Sequence, residues 1–161
     1  MENSSPIILA IDQGSGSTKA LAINLDGEVL AQHDVKISTA FPQPGWVEQD
    51  PEEIWQSVIT ASKAITKDHK ISAVGLSIQR ESVLLWHRQS GKALSKIITW
   101  QDRRASDLAE KQAKNAAQVK AVSGLELDPM FSALKAQWLF ENNSYSGADI
   151  CIGTIDSWIA F

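Results

Sequence analysis

A carboxylate, a run of small residues and a cation stand close together near the start of the chain, at Asp12 and Gly14-Ser15-Gly16-Ser17-Thr18-Lys19. Glycines let a backbone approach a ligand closely, and successive N–H groups in a tight turn can form a nest for an anion. The hydroxyls of Ser15, Ser17 and Thr18 add donors and Lys19 adds positive charge, so the chemistry on offer is the binding of a phosphate group. Asp12 is placed to hold Mg²⁺ beside it, directly or through water, because magnesium takes only one or two carboxylates and keeps several waters. The plainer alternative is a Gly/Ser hairpin with an aspartate making local turn hydrogen bonds. Two familiar phosphate motifs are excluded. The third glycine of a dinucleotide fingerprint is replaced by Lys19 and a strand follows instead of a helix, while no Gly-Lys-Ser/Thr closes a Walker loop. A second candidate is Gln79-Arg80-Glu81. A guanidinium fork beside a carboxylate complements adjacent hydroxyl groups, each of which both donates and accepts. Neighbours on a regular strand point to opposite faces, so both can serve one site only at a strand end or in a turn. The alternative is a surface ion pair, which contributes little.

The elements that must position these residues follow from pattern. Ile7-Ile8-Leu9-Ala10-Ile11, between Pro6 and Asp12, reads as a buried strand. Leu21, Ile23 and Leu25 alternate, Asp26-Gly27 signals a hairpin turn, and Val29 to Ile37 alternate again, so the glycine loop opens a strand. Phe41-Pro42-Gln43-Pro44-Gly45-Trp46 is a constrained loop. Asp50 caps a helix with Pro51 at its first position and Glu53 completing a capping box, and Ile54, Val58, Ala61 and Ile65 form its apolar face to about Lys67. Ile71 to Ile78 and Val83 to Trp86 read as strands joined through Arg80 and Glu81, a turn lies near Ser90-Gly91, and Ile97-Ile98 is a short strand. Asp102 is read as the cap of a helix to about Val119, and Asp128-Pro129 as the start of another carrying Phe131, Leu134, Trp138 and Leu139 on one face. Ile150-Cys151-Ile152 is a short strand, and Ile155 to Phe161 starts an apolar pattern with no stop signal. The order of elements implies an α/β fold, a mixed β-sheet with flanking helices.

Composition sets the outer limits. The chain has 161 residues, 43% hydrophobic and 21% charged. That length suits one globular domain with a core that needs no staples, and one cysteine, Cys151, forms no internal bridge. A formal charge of −4 gives no basic footprint for nucleic acid. No leader pattern opens the chain and no apolar run approaches a membrane span, so the expectation is a cytoplasmic protein with no membrane partner. His33, His69 and His87 lack metal-ligand spacing. Trp46, Trp55, Trp138 and Trp158 are expected to pack in the core.

Taken in order, Asp12-Gln13-Gly14, Pro44-Gly45-Trp46-Val47-Glu48-Gln49-Asp50-Pro51, Gln79-Arg80-Glu81, Thr99-Trp100-Gln101-Asp102-Arg103-Arg104 and Asp128-Pro129 resemble the FGGY carbohydrate kinases over essentially the whole chain, the glycerol kinases among them most of all. The resemblance implies a ribonuclease-H-like N-terminal domain of the actin, hexokinase and Hsp70 ATPase superfamily, incomplete here, spanning 1–161. It implies ATP and Mg²⁺ as cofactors, transfer of the γ-phosphate to a hydroxyl, and a small polyol or sugar as substrate; assembly into a homo-oligomer is compatible with it. By the resemblance, Asp12 is the magnesium-associated carboxylate and Gly14, Ser15, Gly16 and Ser17 contact the phosphates. Lys19 stands where glycerol kinases usually have Arg. Arg80 and Glu81 bind the hydroxyls, with Trp100 lining the pocket.

Met130 departs from the pattern, because glycerol kinases carry there a Tyr whose hydroxyl helps bind glycerol. A thioether is a weak acceptor and no donor, so one substrate hydroxyl is left to water, which points to a related polyol or sugar as readily as to glycerol, as in xylulokinase-like or gluconokinase-like members. The same methionine also suits plain packing at a helix start. The base that takes the acceptor's proton, and the adenosine-binding domain, are expected C-terminal to Phe161, so no catalytic base is expected within the chain and the isolated chain is expected to be inactive. A non-catalytic module that binds a polyol or an anion, or serves assembly, is the alternative.

Overall fold

The computed structural model describes residues 5–143 and 149–161; Met1 to Ser4, part of the N-terminal stretch searched for a leader, lie outside the described residues. The chain forms two compact units. One comprises the residues up to Ser38 together with Asp50–Gln79, the other Thr39–Gln49 with Arg80–Phe161.

The first unit is a mixed sheet with one helix on it. Strands β1 (Ile7–Gln13), β2 (Ser17–Ile23), β3 (Val29–Lys36) and β5 (Ile71–Ile78) take the order β3-β2-β1-β5, with β1 antiparallel to β2 and parallel to β5; β4 belongs to the other unit. Helix α1 (Pro51–Thr66) begins as expected at Asp50, whose Oδ1 accepts the amide of Glu52 at 2.9 Å. Glu53 has a longer reach than a capping box assigns it: its Oε1 accepts both the amide and the hydroxyl of Ser38, each at 2.9 Å. Leu9, Ile11, Ala20 and Ala22 of the sheet and Ile54, Val58, Ala61 and Ile65 of α1 are all buried. Each large aliphatic group so buried contributes roughly 1.5–3 kcal/mol. The small Ala20 and Ala22 let the helix approach closely, and a buried hydroxyl pair, Thr18 Oγ1 with Ser57 Oγ at 2.6 Å, satisfies the polar groups between them.

The second unit is an antiparallel sheet in the order β4-β7-β6-β8, from β4 (Glu48–Gln49), β6 (Val83–His87), β7 (Ile97–Ile98) and β8 (Ile150–Thr154). Val83, Leu84, Leu85 and Trp86 are all buried, which accounts for a continuous rather than alternating apolar run. Val83, Leu85, Ile98 and Leu139 form one core cluster, and Ala105, Leu108 and Leu134 a second; Trp138 packs against both.

Two helix expectations are corrected. Asp102 starts no long helix: residues 106–123 are broken into α2 (Ser106–Lys111), a 3₁₀ turn at Ala113–Asn115 and α3 (Ala116–Ser123), which ends on the left-handed Gly124. The Asp102 carboxylate is drawn instead into a buried ion pair, described below. Asp128-Pro129 does not begin a helix either. Asp128 Oδ1 and its carbonyl accept the amides of Met130 and Phe131 in a turn, and α4 starts at Ser132 and runs to Glu141. The last apolar stretch forms α5 (Ile155–Ala160).

One glycine of this unit is confined by its neighbours. A Cβ on Gly153 would lie 2.5 Å from Ser157 Oγ and 3.0 Å from the Trp86 ring, and Ser157 Oγ is itself held by donating to the Thr154 carbonyl at 2.7 Å. Gly153→Ala is expected to lower stability by about 1–3 kcal/mol through overpacking, read as a lower urea midpoint at an unchanged m-value.

Candidate functional site

In the first unit, β1 and β2 are joined by the short turn at residues 14–16. Gly14 N–H donates to Ser17 O at 2.9 Å, closing the hairpin. The Gly14 carbonyl accepts the side-chain amides of Gln13, at 2.7 Å, and Gln79, at 3.3 Å, while the Gly16 carbonyl accepts Ile37 N–H at 3.1 Å. The two carbonyls that an incoming phosphate would repel are thereby committed to the protein. Neither Gly14 nor Gly16 is among the residues with left-handed φ, so neither is required to be glycine by its backbone conformation. Gly16 contributes space, since a Cβ there would meet nothing within 4 Å on an exposed turn, whereas a Cβ on Gly14 would lie 3.4 Å from the Ser17 carbonyl oxygen.

The ladder explains which side chains share that space. Asp12 pairs with Lys19 and Lys19 with Asp34 across three strands, and Ser77 of β5 stands opposite Asp12 on its other side. Directly opposed residues share a face, so these four form a row across the sheet. Asp12 is exposed, and Lys19 Nζ lies 3.9 Å from Asp34 Oδ1, so its charge is partly engaged on the edge away from Asp12. Thr18 points to the other face. Its hydroxyl, offered above as a phosphate donor, is buried against Ser57. What the turn offers is an exposed carboxylate, the Ser17 hydroxyl and an ammonium, with Ser15, which has a contact of its own, between the glycines. As a donor set this fits a phosphate with a magnesium ion that keeps most of its waters.

In the second unit, β6 is preceded by the turn carrying Arg80 and Glu81. Arg80 is exposed and, among the described residues, makes no hydrogen bond or ion pair. Glu81 is the one non-glycine with positive φ among the described residues, at 65°. Its carboxylate Oε2 accepts Ser132 N–H at 2.9 Å and Ser132 Oγ–H at 2.7 Å. Its carbonyl accepts Lys135 Nζ at 2.7 Å, and the same ammonium donates to the Met130 carbonyl. Trp100 is 38% exposed, and its N–H is held at 3.1 Å by the hydroxyl of Ser82, next to Glu81. The structure thus gathers Glu81, Met130 and the backbone of Trp100, with Arg80 at the outer end of the same turn. Lys135 is fully buried, and burial pushes its pKa down to about 8 against the opposing influence of Glu81, Asp102 and Asp128. Sequence reasoning passed over both Ser132 and Lys135. The available signal was a lysine beside Leu134 on a helix whose other flanking positions are apolar.

A second cluster in this unit organises the conspicuous Pro-Gly-Trp-Val-Glu segment. Gln43 to Trp46 close a turn with Pro44 second and the left-handed Gly45 third, the Trp46 N–H donating to Gln43 O at 3.0 Å. Arg104 then lies 3.8 Å over the Trp46 ring and 4.9 Å from that of Trp138. Its guanidinium donates to Asp102 at 2.9 and 2.8 Å and to Glu48 at 2.8 Å. Asp102, wholly buried, also accepts Val47 N–H at 2.6 Å. Trp46 and Trp138 meet edge to face, their centroids 5.2 Å apart, and beyond the core packing expected of them they line the position of a cation. Among the described residues no group of three or more histidine, cysteine, aspartate or glutamate side chains could hold a metal, and no described helix is long and apolar enough to cross a membrane.

Comparison with known proteins identifies the family of the chain. Residues 7–161 match the model of the FGGY family of carbohydrate kinases, N-terminal domain. The glycerol kinase of Bdellovibrio bacteriovorus is 42% identical over 167 aligned positions, which cover 96% of this chain and 34% of that protein. A crystal structure of Plasmodium falciparum glycerol kinase with ADP superposes with a TM-score of 0.87 at 28% identity, over 96% of this chain and 33% of that one. Gluconate kinase from Lactobacillus acidophilus shares the fold, with a TM-score of 0.87 at 23% identity, over 98% of this chain and 33% of that one. The chain spans about a third of the length of the curated relatives it matches. Sequence likeness along its length and agreement of fold coincide, and the chain belongs to the FGGY family of carbohydrate kinases.

Proposed function

We propose that this chain supplies the phosphate-loop and acceptor-binding parts of an ATP-dependent kinase that phosphorylates a hydroxyl of glycerol or a related polyol or sugar. The observation that carries the reading is the pairing of two groups on one turn. Arg80 is exposed with its guanidinium uncommitted among the described residues, and Glu81 keeps Oε1 after Ser132 has taken Oε2. A fork that donates and an oxygen that accepts are what two adjacent hydroxyls require. Trp100, partly exposed, offers an apolar wall for the carbon skeleton. Met130 brings no hydroxyl to the pocket, which leaves the choice between glycerol and a larger sugar to the remaining contacts.

For the phosphate, Asp12 would hold a hydrated magnesium ion, with Ser15, Ser17 and Lys19 donating to the oxygens at the bare Gly14–Gly16 turn. Magnesium bound there supplies neutralisation of the charge on the phosphates. Phosphoryl transfer asks mainly for positioning and such neutralisation, together with a carboxylate to take the acceptor's proton. Asp12 and Glu81 already have duties and Asp102 is sealed against Arg104, so the reading assigns that base to none of them. It assigns it, with the adenosine contacts, to the two thirds of the relatives' length that this chain does not match.

The test is calorimetric titration of the chain with glycerol, xylulose and gluconate, and separately with magnesium–ATP. At least one polyol or sugar is expected to bind, and Asp12→Ala to weaken magnesium–ATP while leaving polyol binding intact. ATP turnover by the chain alone is expected to be absent. Binding of no polyol or sugar at all would overturn the reading.

A further inference from the structure

Lys135 has a place in no motif of the chain, yet it is the largest fully buried side chain. A buried ammonium is costly unless it is satisfied, and the partners it has are two backbone carbonyls, those of Glu81 and Met130. Both belong to residues of the candidate acceptor site, and they lie far apart in the chain. One helical turn before Lys135, Ser132 holds the Glu81 carboxylate through its amide and hydroxyl. Residues three apart on a helix share a face, so α4 grips Glu81 at both ends, the carbonyl by Lys135 and the carboxylate by Ser132.

The grip explains the backbone of Glu81. A glutamate at a φ of 65° persists only where its surroundings over-determine it, because the left-handed region is unfavourable for a residue with an unbranched, non-local side chain. Rotation of Glu81 into the ordinary region would swing its carbonyl off the ammonium and turn the side chain away from Arg80's end of the turn. We propose that Lys135 is a positioning residue for acceptor binding: by holding the Glu81 and Met130 carbonyls on one ammonium, it keeps Glu81 left-handed and keeps the two acceptor-side segments in register. The proposal rests on the reading of Arg80, Glu81 and Met130 as the acceptor site.

The experiment is made on the full 161-residue chain, with Lys135→Met as a near-isosteric variant without donors and Lys135→Arg as one that keeps charge and donors. Two properties are read: the backbone amide-to-α-proton coupling of Glu81 with the Ser132 amide shift, by NMR, and the affinity for whichever of glycerol, xylulose or gluconate the wild-type chain binds best. Lys135→Met is expected to move the Glu81 coupling to that of a negative φ, to shift the Ser132 amide upfield as its carboxylate acceptor withdraws, and to weaken binding at least tenfold. Lys135→Arg is expected to restore the coupling and most of the affinity. Should Lys135→Met not fold, Lys135→Leu, likewise without a donor, takes its place with the same expectations. A folded donor-free variant whose Glu81 coupling and Ser132 amide are unchanged overturns the proposal, as does one in which they change while affinity does not. A wild-type chain that binds none of the three ligands refutes the acceptor-site reading instead, a result distinguishable because the NMR signature of the grip is measured without ligand.

Discussion

Replacing Asp102 by Ala is expected to lower the unfolding free energy of the second unit by about 3–5 kcal/mol, the cost of stranding one member of a buried ion pair. The Arg104 side chain is 3% exposed and Asp102 0%. Removing the carboxylate leaves the guanidinium with Glu48 alone and deprives Val47 N–H of its acceptor. Arg104 also packs over the Trp46 ring, with the Trp138 ring set edge-on beside it, so the stranded guanidinium stays buried among apolar surfaces. Chemical denaturation of the variant measures the loss. The paired change Asp102→Leu with Arg104→Leu is expected to cost less than Asp102→Ala alone, since no charge is then left unpaired. A single variant that loses less than about 1 kcal/mol, within the range of exposed pairs, would show that the cluster is wetter than its burial implies.

The second large effect is expected at Arg80, and there it is on binding and not on stability. Arg80→Ala removes charge-assisted donors toward the acceptor's hydroxyls, each worth about 1.5–3 kcal/mol, so affinity for the bound polyol or sugar is expected to fall by about 10- to 100-fold. The denaturation midpoint is expected to stay put, because the side chain is exposed and engages no described residue. Arg80→Lys keeps the charge but loses the planar fork, and an intermediate affinity is expected. Titration of the three proteins side by side decides the matter, and equal affinities would remove Arg80 from the acceptor site.

The turn at Arg80 and the cluster at Asp102 mark where a reading of the sequence succeeds and where it fails. The turn carrying Arg80 and Glu81, the hairpin after Asp12 and the helix capped at Asp50 are all local, written in alternation, turn residues and capping chemistry within a few positions. The Arg104 cluster is not local. Val47 and Asp102 are 55 residues apart, and nothing in the vicinity of Asp102 distinguishes a helix cap from one half of a distant ion pair. The same holds for Lys135, whose partner Glu81 is 54 residues away. At the Gly14–Gly16 turn the residue types were legible but their facing was not. Only the register of β1 with β2 shows that Lys19 shares a face with Asp12 while Thr18 is turned toward α1. The left-handed backbone of Glu81 had no signal at all, since the residue is neither glycine nor asparagine.

The order in which the two units draw on the chain bears on synthesis. Every strand of the β3-β2-β1-β5 sheet, and the helix on it, has been made once Ile78 leaves the ribosome. The other unit begins earlier than that, with β4 at Glu48–Gln49 bridged locally to Ala40, but β4 joins its sheet through β7 at Ile97–Ile98, and β8 completes the sheet from Ile150 onward. The first unit therefore has all its parts while Thr39–Gln49 still lacks its sheet partner β7, and an unpaired strand edge is exposed to misassembly. Substitutions in Phe41–Gln49 are accordingly expected to show up first as loss of soluble yield during expression, ahead of any change in the folded protein.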